Sequence, residues 1–177
     1  MMKISLNQFF ERARILKAHR KLFRNFNFAM CGSEAPPSVR KLALALGFDV
    51  AEVPMSRGER GKLVRDPFSR NGFLIEVNQN DDVCARRWTV LHEIVHAYLH
   101  RSDDLLAGPK YRAGFLHFYD ETERREEREA NLVVEAIVFG EGALEGAIGL
   151  YGHDERSLCR HFGVNPRPLN IALQKLQ

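Results

Sequence analysis

Residues 84–101 read Cys-Ala-Arg-Arg-Trp-Thr-Val-Leu-His-Glu-Ile-Val-His-Ala-Tyr-Leu-His-Arg, and this stretch decides what kind of fold the chain can adopt. Large apolar side chains recur in it at the spacing of one face of an α-helix. The apolar stripe consists of Trp88, Leu91, Val95, Tyr98 and Leu99. The sequence therefore predicts a helix from about residue 84 to residue 101, with one side packed against a core.

Within this helix, His92, Glu93 and His96 form the pattern His-Glu-x-x-His. Residues four apart lie one above the other on a helix, so both imidazoles can reach a single metal ion. Glu93 lies beside them, and its carboxylate can take a proton from a water that attacks a carbonyl. The alternative is a pair of core histidines with Glu93 at the surface. The apolar neighbours of the motif favour the metal site, because half-buried imidazoles need partners.

A catalytic zinc site normally has three protein ligands, so a third ligand must come from elsewhere in the chain. A second helix, predicted from about residue 121 to residue 139, begins with several acidic residues. The carboxylates available are Glu123, Glu126, Glu127 and Glu129. Glu127 heads the stripe that should pack inward, Glu126 fits a neighbouring stripe, and Glu129 fits less well. The other interpretation of these acids is a solvated helix start, where negative charge suits the helix dipole.

The pattern along the rest of the chain predicts an α+β protein. Residues 1–37 are interpreted as an N-terminal helical extension. Residues 38–142 are interpreted as the core, with a short helix, a strand, a pair of strands and the two helices described above. Residues 102–121 between those helices show no regular pattern. Residues 143–177 predict one or two short helices packed on the core.

Composition is that of an ordinary globular protein. The chain has 177 residues, 45% of them hydrophobic and 28% charged, with a formal net charge of +3. This mild basic excess does not require a nucleic-acid partner. The three cysteines are far apart and form no Cys-x-x-Cys pair, which indicates a reducing cytoplasm and argues against a thiolate zinc site. The sequence contains neither a secretory pattern nor an apolar run long enough to cross a membrane.

The extended motif is similar to the signature of the ImmA/IrrE family of metallopeptidases. Residues 86–100 read R-R-W-T-V-L-H-E-I-V-H-A-Y-L-H, where the family typically reads R-R-F-T-x-A-H-E-x-x-H-A-L-L-H. Downstream, residues 127–131 match the start of the family pattern E-x-x-A/C-N-x-x-A. The resemblance covers about residues 38–140 and is much more specific than His-Glu-x-x-His alone.

The resemblance implies a zincin-like metallopeptidase core. In such a core a small antiparallel or mixed sheet packs on the His-Glu-x-x-His helix and on a second, glutamate-bearing helix, here with N- and C-terminal helices added. It implies zinc as the metal, His92, His96 and Glu127 as its ligands, and Glu93 as the catalytic base. Asn131, one turn after Glu127, becomes a candidate for a group that holds a ligand in place.

The resemblance also implies a substrate, because members of the family often cleave helix-turn-helix repressors. We therefore expect a zinc-dependent endopeptidase that hydrolyses peptide bonds of a selected intracellular protein, a transcriptional regulator. An extended substrate can add to an edge strand of a sheet. The strand through Phe73, Ile75 and Val77 is the candidate edge.

The alternative function is that of a non-catalytic zincin-fold regulatory protein that binds a partner protein or DNA. The intact Glu93 favours the enzyme, because a binding module has no use for it. Residues 158–176 have the spacing of a helix-turn-helix, but a simple two-helix packing unit has the same pattern, so nucleic acid is not the expected partner. Leu91 and Val95 replace smaller residues of the family, and its Met-Pro pair is missing after the second helix, which leaves the choice of substrate open.

Overall fold

The computed structural model describes residues 38–99, 110–113, 120–140 and 142–176, with the backbone alone for 110–113. The predicted N-terminal extension, residues 1–37, lies outside the described residues. The helices and strands make a mixed α+β protein, as the sequence predicted. They are α1 (Val39–Ala45), β1 (Asp49–Val53), β2 (Glu59–Arg65), β3 (Phe73–Asn78), α2 (Val83–Leu99), β4 (Lys110–Ala113), α3 (Glu121–Phe139), α4 (Ala143–Tyr151), α5 (Glu155–Phe162) and α6 (Pro166–Gln174).

The strands form one four-stranded sheet with the order β1-β3-β2-β4. β1 runs parallel to β3, whereas β2 runs antiparallel to both β3 and β4. The predicted pairing of β2 with β3 is confirmed, although β2 begins earlier than the apolar pattern indicated. β4 lies in the stretch that had no regular pattern, and its backbone pairing with β2 is what defines it as a strand.

The strand that the sequence offered as the substrate-binding edge is an interior strand. β3 pairs with β1 on one side and with β2 on the other, and Phe73, Ile75 and Val77 are buried. The prediction of an edge at β3 is therefore wrong. Alternation of apolar and polar residues reports which side chains face the core, but it does not report how many neighbours a strand has. Among the residues that the structure describes, the ends of the sheet are β1 and β4.

Helix α2 lies across β2 and β3 and runs in the direction of β2. Thr89, in the first half of α2, lies against Gly61 of β2. Gly61 pairs with Val77, near the C-terminal end of β3. Tyr98, near its end, contacts the ring of Phe48 at a centroid distance of 6.2 Å. Phe48 directly precedes β1. The first residue of β1, Asp49, pairs with Leu74, near the N-terminal end of β3. Consequently α2 is antiparallel to β3 and parallel to β2.

Helix α3 packs on α2 in the opposite direction. It starts at a capping box, in which the Asp120 carboxylate accepts a hydrogen bond from the Glu123 amide and the Glu123 carboxylate accepts one from the Asp120 amide. Its last residue, Phe139, lies 6.5 Å from the Trp88 ring in the first half of α2. The histidines in the second half of α2 approach the first half of α3.

The C-terminal part contains three short helices rather than one or two, because glycines with positive φ separate them. Gly152 ends α4 with φ of 65°, and Gly163 ends α5 with φ of 63°. Asn165, which caps α6, donates hydrogen bonds to both carboxylate oxygens of Asp82 at 3.2 and 3.0 Å. Asp82 also accepts a bond from the Ala85 amide in the first turn of α2, so the starts of α2 and α6 are joined. Within the described ranges, no helix is both long and apolar enough to cross a membrane.

The close approach of α2 to the sheet depends on a glycine. A Cβ on Gly61 would lie 2.4 Å from Thr89 Cγ2 and 2.8 Å from the Glu76 carbonyl oxygen. We expect Gly61→Ala to lower the free energy of unfolding by about 2 kcal/mol, because α2 must move away from the sheet. Gly146→Ala in α4 is the matched control, since a Cβ there meets nothing within 4 Å and should stabilise the helix by about 0.5–1 kcal/mol. Urea unfolding of both variants checks this, and equal effects would contradict it.

His161 in α5 should make the stability of the protein depend on pH. The residue is buried, with its ring 5.2 Å from Tyr151 and 4.8 Å from Phe162, and burial lowers its pKa below the ordinary value of 6.5. The unfolded chain therefore binds the proton more readily, so the stability contributed by neutral His161 is present above about pH 6.5 and is lost as the pH falls.

The measurement is thermal unfolding between about pH 7.5 and about pH 5. The stability advantage of the wild-type protein over His161→Gln should shrink as the pH falls. His153→Gln, at an exposed histidine, should show no such convergence. A constant gap between the wild type and His161→Gln would show that His161 is not responsible.

Candidate metal centre

Two histidines of α2 meet at one point in the contact between α2 and α3. The Nε2 atoms of His92 and His96 are 2.8 Å apart, and the ring centroids are 4.5 Å apart. The His92 side chain is fully buried, while His96 keeps 13% of its surface exposed. The four-residue spacing within a regular helix accounts for this arrangement, since it stacks both side chains on one face.

A carboxylate of α3 faces both imidazoles. Glu127 Oε1 lies 3.1 Å from His96 Nε2, and Glu127 Oε2 lies 3.2 Å from His92 Nε2. Burial on its own raises the pKa of this carboxyl, but the hydrogen bonds and charges of the two histidines outweigh burial and hold the pKa well below its usual value. Glu127 is therefore a buried anion. Such an anion needs positive charge beside it, which the histidine pair or a bound cation can supply.

The three side chains have the geometry and the chemistry of a metal site. Zinc bonds of about 2.0–2.2 Å to nitrogen and oxygen place tetrahedral ligand atoms about 3.3 Å apart, close to the distances between the two Nε2 atoms and the Glu127 oxygens. Two imidazoles and one carboxylate also form a donor set that leaves a fourth position open. Among the residues that the structure describes, His92, His96 and Glu127 form the group of metal-binding side chains within reach of one another.

The other glutamates of the acidic run take different positions. Glu123 completes the capping box at the start of α3. Glu126 and Glu129 are half-buried but do not join the group that could hold a metal ion. Of the two candidates that the helical stripes left open, Glu127 rather than Glu126 therefore faces the histidines. The difference of one position corresponds to about 100° around the helix axis.

Glu93, the predicted catalytic base, is 97% buried and follows His92 directly in α2. Thr89, Glu93 and His96 are four and then three residues apart, so they share one side of the helix. On that side Thr89 rests on Gly61 of β2. Glu93 and His96 therefore lie on the side of α2 that faces β2, and His96 still reaches Glu127 of the neighbouring helix α3.

Asn131 links the two helices of the centre. Its side-chain amide donates a hydrogen bond to the backbone carbonyl of Glu127 at 2.9 Å, and its Oδ1 accepts one from the indole Nε1 of Trp88 at 3.4 Å. Asn131 thus contacts the backbone of Glu127 and not its carboxylate. Sequence reasoning missed Trp88 as the partner, although it lies four residues before His92, just as Asn131 lies four residues after Glu127.

Comparison with known proteins identifies a family for the chain. No curated protein matches the chain significantly. The family model Peptidase_M78, described as an IrrE N-terminal-like domain, matches residues 50–173. That range contains nearly all of the sheet, both helices of the centre and most of the C-terminal helices. It begins later than the stretch whose motifs carried the resemblance and ends further along the chain. The chain therefore belongs to the Peptidase_M78 family of IrrE N-terminal-like domains.

Proposed function

We propose that the chain is a zinc-dependent endopeptidase with a zincin-like core, in which His92, His96 and Glu127 hold the metal and Glu93 is the catalytic base. The convergence of two imidazole nitrogens and a buried carboxylate within 3.2 Å of one another carries the proposal. Membership of a peptidase family supports peptide bonds as the bonds cleaved. The buried Glu93 beside the ligands supports catalysis rather than binding alone.

Each residue has a defined task in this reaction. When bound, zinc supplies a Lewis acid and lowers the pKa of water to about 7. The Glu93 carboxylate takes a proton from the attacking water while the water oxygen adds to the substrate carbonyl carbon. When the C–N bond breaks, Glu93 gives that proton to the leaving amine. Asn131 connects the backbone of Glu127 to Trp88 of α2 by hydrogen bonds, which supports its role as a group that positions a ligand.

The substrate-binding edge in this proposal is β4 instead of β3. Thr89, Glu93 and His96 share the side of α2 that faces β2, and β4 pairs with the outer side of β2. The opposite edge, β1, lies on the far side of α2, where Tyr98 contacts Phe48. An extended peptide that adds to β4 would thus pass on the side of Glu93, whereas one that adds to β1 would not.

The proposed substrate is a selected protein, and we propose a helix-turn-helix repressor in the cytoplasm. The peptidase family supports a protein rather than a nucleic acid or a membrane as the partner. Cys84 and Cys159 are free thiols, which suits a reducing compartment. We propose residues 38–142 as the catalytic core and 143–177 as a helical segment packed on it. Contacts from α4 and α6 to α3 support that packing.

The first prediction concerns metal content. Protein purified without added metal should contain about one zinc per chain, and His92→Ala and Glu127→Ala should each lower zinc affinity by at least about tenfold, because each variant removes one of three ligands. Inductively coupled plasma mass spectrometry after dialysis measures this. His153→Ala, at an exposed histidine, is the control and should keep the zinc. A wild-type protein with no affinity for zinc would refute the metal centre.

The second prediction concerns the catalytic base. Glu93→Gln keeps the shape of the side chain but cannot accept a proton, so peptide hydrolysis should fall by about 10²–10⁴-fold while zinc binding and the unfolding temperature stay close to those of the wild type. The assay is cleavage of a purified helix-turn-helix repressor, followed by mass spectrometry. Glu126→Gln, which changes a glutamate outside the centre, is the matched control. Full cleavage by a folded, zinc-loaded Glu93→Gln protein would contradict the proposed role.

A further inference from the structure

The turn between β2 and β3, residues 66–72, presents an aromatic side chain almost wholly to solvent. We name these residues the β2–β3 tip. Phe68 is 94% exposed, yet the backbone around it is held by hydrogen bonds. Asp66 Oδ1 accepts one from the Phe68 amide at 3.0 Å, and the Asp66 carbonyl accepts one from the Ser69 amide at 3.2 Å. An ordered turn that holds a phenyl ring in water gains no burial free energy from that ring.

The tip is also anchored to the body of the fold. The backbone N–H of Asn71 donates a hydrogen bond to the Gly47 carbonyl at 3.1 Å. Gly47 lies just beyond the end of α1. The Asn71 side chain donates a second bond to the Leu46 carbonyl at 3.5 Å. These bonds keep the turn in place relative to β1 and α1, so the position of Phe68 follows from the fold. A residue whose backbone is held in this way loses less backbone entropy when it binds a partner.

The exposed charged residues of the tip and its border are both arginines. Arg65 and Arg70 flank Phe68 and are both exposed, and neither forms an ion pair with a carboxylate of the described residues. The carboxylate closest in sequence, Asp66, is partly buried and bonds the backbone of the tip itself. An exposed aromatic residue with an exposed arginine on each side of it in the sequence complements a partner segment that combines apolar side chains with Asp or Glu.

The topology puts this surface at the end of the sheet towards which the proposed substrate strand runs, two strand spacings of about 4.8 Å to the side of it, so the inference rests on the proposed function. Antiparallel pairing is the more stable arrangement per residue, and a substrate strand antiparallel to β4 runs in the direction of β2. β2 ends at Arg65 and leads directly into the tip. Lys110, the first residue of β4, lies opposite Leu63, so the tip extends past that end of β4. The substrate would leave β4 towards the tip.

The position of the metal centre decides which part of the substrate reaches the tip. α2 runs in the direction of β2, and Thr89 lies beside Gly61. At about 1.5 Å per helical residue, His92 and His96 lie about 5–10 Å further along, which is about one to three residues of β2 at 3.4 Å each. The centre is thus beside residues 62–64, and the tip begins a few residues beyond it in the direction of the substrate C-terminus.

We propose that the β2–β3 tip is a second substrate contact of the peptidase, which binds an acidic and apolar segment C-terminal to the cleaved bond. Phe68 packs against a large apolar side chain of that segment, and Arg65 and Arg70 pair with its carboxylates. These residues select the substrate and take no part in the chemical step.

The test is a binding experiment that does not need turnover. Zinc-loaded Glu93→Gln protein is used to select peptides from a random displayed library, and one selected peptide is synthesised with a fluorescent label. We expect the selected peptides to be enriched in sequences that combine Phe, Leu or Ile with Asp or Glu. Phe68→Ser, and separately Arg65→Ser with Arg70→Ser, should raise the Kd of the labelled peptide by about tenfold. Leu150→Ser is the matched control, because Leu150 is an exposed apolar residue of α4, 75% accessible, and should change the Kd by less than about twofold.

The outcomes separate the two proposals. Selected peptides without acidic and apolar enrichment, failure to select any peptide, or equal effects of Phe68→Ser and Leu150→Ser would each overturn the role of the tip. Cleavage of the same peptide by the wild-type protein is scored independently. Binding that depends on Phe68 without cleavage would support the tip and contradict the endopeptidase. Cleavage with an unchanged KM in Phe68→Ser would support the endopeptidase and overturn the tip.

Discussion

A buried carboxylate opposite two imidazoles is the constraint on which the arrangement of α2 and α3 depends. Glu127 lies on the inward stripe of α3, followed by the buried Ala130 and Val134. An anion at such a position is costly unless cations or hydrogen-bond donors face it, and removal of one partner from a buried pair costs about 3–5 kcal/mol. His92 and His96 supply those partners. The two helices must therefore keep their relative rotation and their register along the axis.

The sheet sets the second condition, which is the direction that the centre faces. Gly61 allows α2 to approach β2 so closely that Thr89 touches the strand backbone, and this contact settles which side of the helix faces β2. Glu93, one turn after Thr89, inherits that orientation. The bond from Asn165 to Asp82 then ties the start of the same helix to α6. Helix α2 is thus held by the sheet, by α3 and by the C-terminal helices, which is the rigid support that a site for positioned chemistry needs.

Local patterns predicted well which side chains meet at the centre, because helices carry them. The spacing of His92 and His96 within one turn translates directly into two nitrogen atoms 2.8 Å apart. Glu127 followed from two separate observations, its place at the head of the apolar stripe and the family pattern from residue 127 to residue 131. The position on the helix alone left Glu126 as an alternative third metal ligand. The contact of Trp88 with Asn131 joins residues 43 positions apart, and nothing in either local pattern pointed to it.

The sequence by itself determined the α+β class, the two helices and the residues that α2 contributes to the centre, since helical periodicity is a property of neighbouring residues. It also determined the pairing of β2 with β3, because a short turn leaves adjacent strands few other partners. Only the tertiary structure decided that β3 is interior and that β4 exists. The number of neighbours of a strand depends on segments far away in the chain, and alternation within the strand is the same at an edge and in the interior.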